Sequence, residues 1–181
     1  MASELHVDAI KHSGGTSALT IDSSGNLTAS ANLNASTGLT VPSGYIIQVI
    51  ENSTTTQVNS TSTTYADTGL TATITPQSTS SKIAIFISQN VHKTYQHTDQ
   101  IQLNIVRGST QLVQWATELL HDDGALNHFN GYGSQSYIDS PSTTSATTYK
   151  TQFRRRLSTS AQMSVQYASG RSSIMLMEIS G

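Results

Sequence analysis

The sequence predicts an all-β protein, in which a short extended β stalk precedes an antiparallel β-sandwich head of the jelly-roll kind. Three observations predict it. Ser and Thr supply roughly three residues in ten, far above ordinary usage. Charged residues make up only 11%, less than half the usual share of ~25%. Short apolar or alternating runs recur along the chain, each closed by a cluster of Gly, Ser, Asn, Asp or Pro. Thr and Val suit a half-exposed pleated surface, and the cluster residues suit the turns between strands.

The first 43 residues read as an attachment or stalk segment. Leu19-Thr20-Ile21 alternates, Asp22-Ser23-Ser24-Gly25-Asn26 supplies turn residues, and Leu27-Thr28-Ala29 resumes the alternation. That pattern predicts a β-hairpin or tight β-arc. Ala18-Leu19-Thr20, Asn26-Leu27-Thr28 and Gly38-Leu39-Thr40 resemble three imperfect copies of one unit. Leu19, Ile21, Leu27, Leu33, Leu39 and Val41 stand isolated among small polar residues, where one chain has nothing of its own to bury them against. Three chains around a common axis would bury them, since closed cyclic symmetry is how most homo-oligomers assemble. The competing reading is a disordered Ser/Asn linker. Val41-Pro42-Ser43-Gly44 marks the boundary, because Pro and Gly punctuate strands.

Residues 44–181 carry the head. Tyr45-Ile46-Ile47-Gln48-Val49-Ile50 is a continuous apolar run, as expected for a strand buried on both faces. Leu70 to Ile74 alternates and stops before Pro76, and Lys82 to Ile87 is the strongest strand pattern in the chain. Ile101 to Val106, a turn at Arg107-Gly108-Ser109-Thr110, and Gln111 to Trp115 form a hairpin. Further strands are predicted at 132–138, 149–155, 163–167 and 173–179. Only 115–121 has a helical period. The last strand is apolar on both faces, with Met175 and Met177 between Ile174, Leu176 and Ile179. It therefore needs cover on both sides, and a neighbouring subunit is the economical cover for one of them.

Composition excludes several functions. Net charge is −2, from nine basic and eleven acidic residues, which leaves no basic stripe for nucleic acid. Cysteine is absent, so disulfides, thiolate metal sites and Cys nucleophiles are out. No stretch of 18 apolar residues suggests membrane insertion. No signal peptide is visible in residues 1–15, which fits a chain made in a host cytoplasm and released by lysis. The four Asn-x-Ser/Thr sequons, at Asn26, Asn34, Asn52 and Asn59, are what chance yields in such a composition.

The order of several motifs resembles a known family. Asp67-Thr68-Gly69-Leu70-Thr71-Ala72-Thr73-Ile74-Thr75-Pro76 is followed by Ser80-Ser81-Lys82-Ile83, and later by Ile105-Val106-Arg107-Gly108-Ser109-Thr110. Asp139-Ser140-Pro141 leads to Ala146-Thr147-Thr148-Tyr149-Lys150, and Ile174-Met175-Leu176-Met177-Glu178-Ile179 closes the chain. Together they resemble the C-terminal head of fibre-like virion proteins of marine and cyanobacterial phages. Gly14-Gly15-Thr16-Ser17-Ala18-Leu19-Thr20-Ile21-Asp22 is similar to an N-terminal segment of phage tail fibres. Such heads resemble the trimeric jelly rolls of the tumour-necrosis-factor and complement globular-head type. The resemblance implies a homotrimer in the virion, docked on other virion proteins through its N-terminal segment, and it implies no catalysis. A short fibre, a tail appendage and a capsid decoration or cement protein all remain open.

Candidate functional residues follow. Leu19, Ile21, Leu27, Leu39, Val41, Met175 and Met177 are the candidates for a trimer interface. Tyr95 and His97, placed in one loop with His92, and His121, Asp122, Asp123, His128 and Tyr132 are candidates for contact with a host receptor or surface glycan, because aromatic side chains dominate binding hot spots. The His and Asp spacing matches neither a zinc motif nor a calcium loop. No metal, cofactor or catalytic residue is expected, and the serines lack a nucleophile-elbow motif. Trp115 is expected in the core from its strand position. Arg154-Arg155-Arg156 is the only basic run, and in a strand its side chains point alternately to opposite faces, with Glu118 or Glu178 as candidate partners.

Overall fold

The computed structural model describes residues 8–11, 14, 15, 17–29, 42–94, 99–119, 128–157 and 161–181. The chain divides into two compact units, Met1–Thr40 and Val41–Gly181. In the first, β1 (Ala9–Lys11), β2 (Ser17–Ile21) and β3 (Leu27–Ala29) form an antiparallel sheet in chain order. The predicted hairpin is β2–β3, with Ile21 opposite Leu27 and Leu19 opposite Ala29. Asp22 closes its turn: one carboxylate oxygen accepts the backbone N–H groups of Ser24 and Asn26 at 2.8 and 2.9 Å, and the other accepts the Asn26 side-chain amide. Those bonds, the Asn26 amide foremost, hold the Asp22 carboxyl below its ordinary value. Ile10 pairs with Leu19 on the other side. Register therefore gathers Ile10, Leu19, Ile21 and Leu27 on one face, because directly paired residues, and residues two apart, share a side of the sheet.

The second unit is a sandwich of antiparallel strands. Its elements are β4 (Ile46–Thr54), β5 (Val58–Ser60), β6 (Ala66–Ile74), β7 (Lys82–Thr94), β8 (Ile101–Arg107), β9 (Thr110–Leu119), β10 (His128–Asp139), β11 (Thr147–Arg155), β12 (Gln162–Val165) and β13 (Ser172–Ile179). A single 3-10 turn, Tyr167–Ser169, separates the last two strands. One sheet runs β4-β13-β7-β10, and the other runs β6-β11-β8-β9. Among these long strands the first pairs with the last, β6 with β11, and β8 with β9, so the chain folds as one long hairpin rolled into two layers. That is the order of a jelly roll, the kind of sandwich expected from the sequence. The core between the layers is built from alternate residues, including Ile83, Ile85 and Ile87 of β7, Ile174 and Leu176 of β13, Leu70 and Ile74 of β6, and Tyr149 and Phe153 of β11. Trp115 joins it.

Strand β7 has a seam on one edge. β10 pairs with it from residue 83 to 94. Its other edge is shared: β13 pairs with residues 82–88 and β12 with residues 91–94. Gln89 and Asn90 lie in the gap between the two ladders, and an uncharged buried network closes it. Gln89 donates to the Ser172 hydroxyl at 2.9 Å and accepts from the Thr151 hydroxyl at 2.8 Å. The Asn90 N–H also donates to Ser172 Oγ at 2.9 Å. The Gln166 amide satisfies its neighbours with its oxygen toward Ser172 and Gln89 and its nitrogen toward the carbonyls of Thr68 and Thr56. Buried polar groups demand such partners.

The structure corrects four expectations. Tyr45, Ile46 and Val49 are exposed rather than buried on both faces, because β4 is an edge strand whose outer face has no layer above it. Residues 115–119 belong to strand β9, where pairing with β8 overrides the helical period. His92 lies inside β7, not in a loop with Tyr95 and His97. Arg155 finds its acidic partner in Asp99, at 3.4 Å, while the Glu178 carboxylate accepts the Gln77 N–H and the Gln48 amide. Burial raises the Glu178 pKa, but the hydrogen bonds from Gln48 and the Gln77 backbone N–H hold the group below its ordinary value.

Candidate functional site

The outer face of the β4-β13-β7-β10 sheet is where the described candidate residues of the head come together. Pairing register lines up its side chains in rows that cross the strands. Val49, Met177, Ala84 and Ile138 form one row. Glu51, Met175, Phe86 and Ser136 form the next, and Ser53, Ser173, Ser88 and Ser134 the one after. Beyond them Asn90 stands opposite Tyr132, and His92 opposite both Asn130 and Ser164. The face thus passes from apolar, through a row of serines, to amide, aromatic and imidazole groups.

The apolar end is open to solvent to a degree that single-chain folding does not explain. Val49 is 51% exposed, Phe86 46% and Ile138 60%, with Ile46 and Tyr45 beside them. Met175 and Met177 are half-buried there, as the two-sided apolar pattern of the last strand requires. Scattered surface apolar residues are ordinary; a contiguous group marks an interaction surface. A shallow depression of about 550 Å³ lies across the boundary, with Phe86, Met175 and Glu51 on one side and Ser88, Ser134, Ser136 and Ser173 along it.

The chain enters the head at the apolar end. Gly44 N–H donates to Ser180 C=O at 2.8 Å, Ser180 N–H returns to Tyr45 C=O at 2.8 Å, and the Ser180 hydroxyl accepts Tyr45 N–H at 3.0 Å. The opposite end is where β7 stops at Thr94 and β10 starts at His128, directly across from each other. His128 and Tyr132 therefore belong to the outer face near that far end. Tyr95, His97, His121, Asp122 and Asp123 lie outside the described residues. So do Leu39 and Val41 of the interface candidates, whereas Leu19, Ile21 and Leu27 share one apolar face among the described residues of the first unit, with Ile21 and Leu27 exposed.

Sequence reasoning missed His92. Its side chain is 1% exposed, yet neither ring nitrogen has a hydrogen-bond partner. The Tyr167 ring covers it at 3.6 Å between centroids and 5° between planes, and the His128 ring follows at 5.6 Å and 23°. Burial, and secondarily the neighbouring His128, push the His92 pKa down. The signal that would have found it is register: His92 is two and four residues beyond Asn90 and Ser88 on the same face of one unbroken strand.

A second cluster of ionisable groups joins β8, β10 and β11. Tyr149 donates to Asp139 at 2.7 Å, and Arg107 donates to the same carboxylate oxygen at 2.7 Å. Burial, and then the bond to Asp139, raise the Tyr149 pKa far above its ordinary value. Among the described residues no group of three or more His, Asp or Glu is placed to hold a metal ion, and no helix is long and apolar enough to cross a membrane.

No family model matches the sequence, and no curated protein matches it. Among solved structures, a chain in the structure of infectious bursal disease virus Gt strain is similar at a TM-score of 0.40 and 10% identity, over 90% of this chain. This chain spans 46% of that one. At that distance the likeness carries no information on function.

Proposed function

We propose that the chain is a non-enzymatic virion structural protein of a phage, a homotrimeric short fibre or tail appendage held to the particle by its N-terminal segment. The observation that carries the assembly reading is the unpartnered apolar surface of both units: the Ile10, Leu19, Ile21, Leu27 face of the first, and the Val49, Phe86, Ile138, Met175, Met177 end of the outer sheet in the second. Closed cyclic packing of identical chains covers such surfaces without leaving an open end. The virion setting rests on the order of the sequence motifs. In this reading the head would meet a host receptor or surface glycan.

Light scattering and native mass measurement test the assembly. The wild-type chain should be a trimer at micromolar concentration, and the double substitution Met177→Asp, Ile138→Asp should give a monomer whose head still melts cooperatively. A wild-type monomer would sink the proposal. Immunogold labelling of particles then separates the tail position from a capsid-decoration role.

A further inference from the structure

We infer that the 167–170 turn is an acid-released lid hinged at Gln166, closed over the His92 ring while that ring is neutral and opened when the ring takes a proton. The idea stands apart from the trimer reading and needs only the head.

The lid links β12 to β13 and lays Tyr167 flat on His92. Gln166 is its fixed hinge, since the Gln166 amide is buried in the seam network, and the part beyond it is held by few bonds. Tyr167 N–H donates to Asn90 Oδ1 at 2.9 Å, Gln166 N–H to the Asn90 carbonyl at 3.3 Å, and Ala168 N–H to Gln57 Oε1 at 3.3 Å. Against those bonds stands its backbone. Gln166, Ala168 and Ser169 have φ of 53°, 50° and 63°, and none of them is glycine. Left-handed backbone is costly for residues with a Cβ, so the closed turn is strained at three of its positions.

What lies beneath decides when it opens. The neutral imidazole already forgoes hydrogen bonds at both nitrogens. A protonated ring would bring a charge and a second N–H donor into a place where, among the described residues, only neutral groups such as the Ser164 hydroxyl face it, which burial penalises heavily. Among the described residues, each neighbouring element contributes groups that face it. β10 presents His128 and the uncharged Asn130, β12 presents Ser164, the lid presents Tyr167, and β7 itself flanks the ring with Asn90 and Thr94. No described carboxylate faces it. Lys93 points to the other side of the sheet, where its ammonium donates to the Asp99 carbonyl. The sign follows: a ring whose pKa is depressed when covered keeps the lid closed above the ordinary imidazole range, and closure weakens as pH falls through and below that range. Opening would present His92, Ser164 and Tyr167 on the outer face beside His128.

Hydrogen exchange on the full chain tests this, following the amides of Tyr167 and Ala168 from about pH 7.5 to about pH 5, corrected for intrinsic rates. Their protection should fall about tenfold per pH unit below the ordinary imidazole range, while the amide of Leu176 in β13 stays protected. In His92→Phe, which keeps a ring under Tyr167 and cannot titrate, the lid should stay shut throughout. Equal loss of protection in His92→Phe, or none in the wild type, would overturn the inference. Should that variant not fold, nuclear magnetic resonance titration of the His92 ring in the native chain decides instead: a ring titrating at the ordinary imidazole value overturns the lid.

Discussion

Strand β7 crosses two regions built on different terms. Over residues 82–88 it has a strand on each side, isoleucines beneath and apolar side chains above. Over residues 89–94 one neighbour is replaced by another, amides and hydroxyls fill the gap beneath, and a buried imidazole sits above. The first region is held by area removed from water, which is indifferent to direction. The second is held by hydrogen bonds that must all be made at once, because a half-satisfied buried network is worse than an apolar one. The difference teaches where the head is robust and where it can be switched.

Substitutions can break that comparison or sharpen it. Ile85→Ala, in the apolar region, should lower stability by about 2–5 kcal/mol through lost burial and a residual cavity, read as a shift in denaturant midpoint at constant slope. Gln89→Ala, in the seam, should lower it by about 1–3 kcal/mol, since Thr151, Ser172 and Gln166 lose partners. It should also raise exchange at residues 166–172 more than at 83–87; uniform exchange would show that the two regions are one. Arg171→Ala removes an ion pair to Glu51 whose two side chains are both more than half exposed, and it should change the melting behaviour by less than about 0.5 kcal/mol.

The apolar region was legible in sequence and the seam was not. Isoleucines at 83, 85 and 87 announce a strand by alternation, and the turn residues 22–26 announce the β2–β3 hairpin. Gln89-Asn90-Val91-His92-Lys93 continues the same strand with no apolar alternation, so its second half reads as loop. Its side chains are buried by partners that are distant in sequence, Ser172 and Gln166 among them, and no local pattern reports them. β5 was missed for the same reason: Val58-Asn59-Ser60 is too short and polar to show a period. The candidate surface was half legible. The two-sided apolar pattern of β13 pointed to Met175 and Met177, but Val49, Phe86 and Ile138 join them only through pairing register, which emerges when strands remote in the chain are set side by side.

The stitch between the entry of the head and its C-terminal end has a mechanical consequence. Residues 44 and 45 are bonded to Ser180, the Ser180 hydroxyl donates back to the Pro42 carbonyl, and β4 then runs the length of the sheet against β13. Tension applied between Pro42 and the far end of the head acts along β4, parallel to its ladder. Bonds loaded in that direction share the force and fail together, whereas a pull across the strand would open them one by one. The head should therefore resist a pull along its first strand better than one across it.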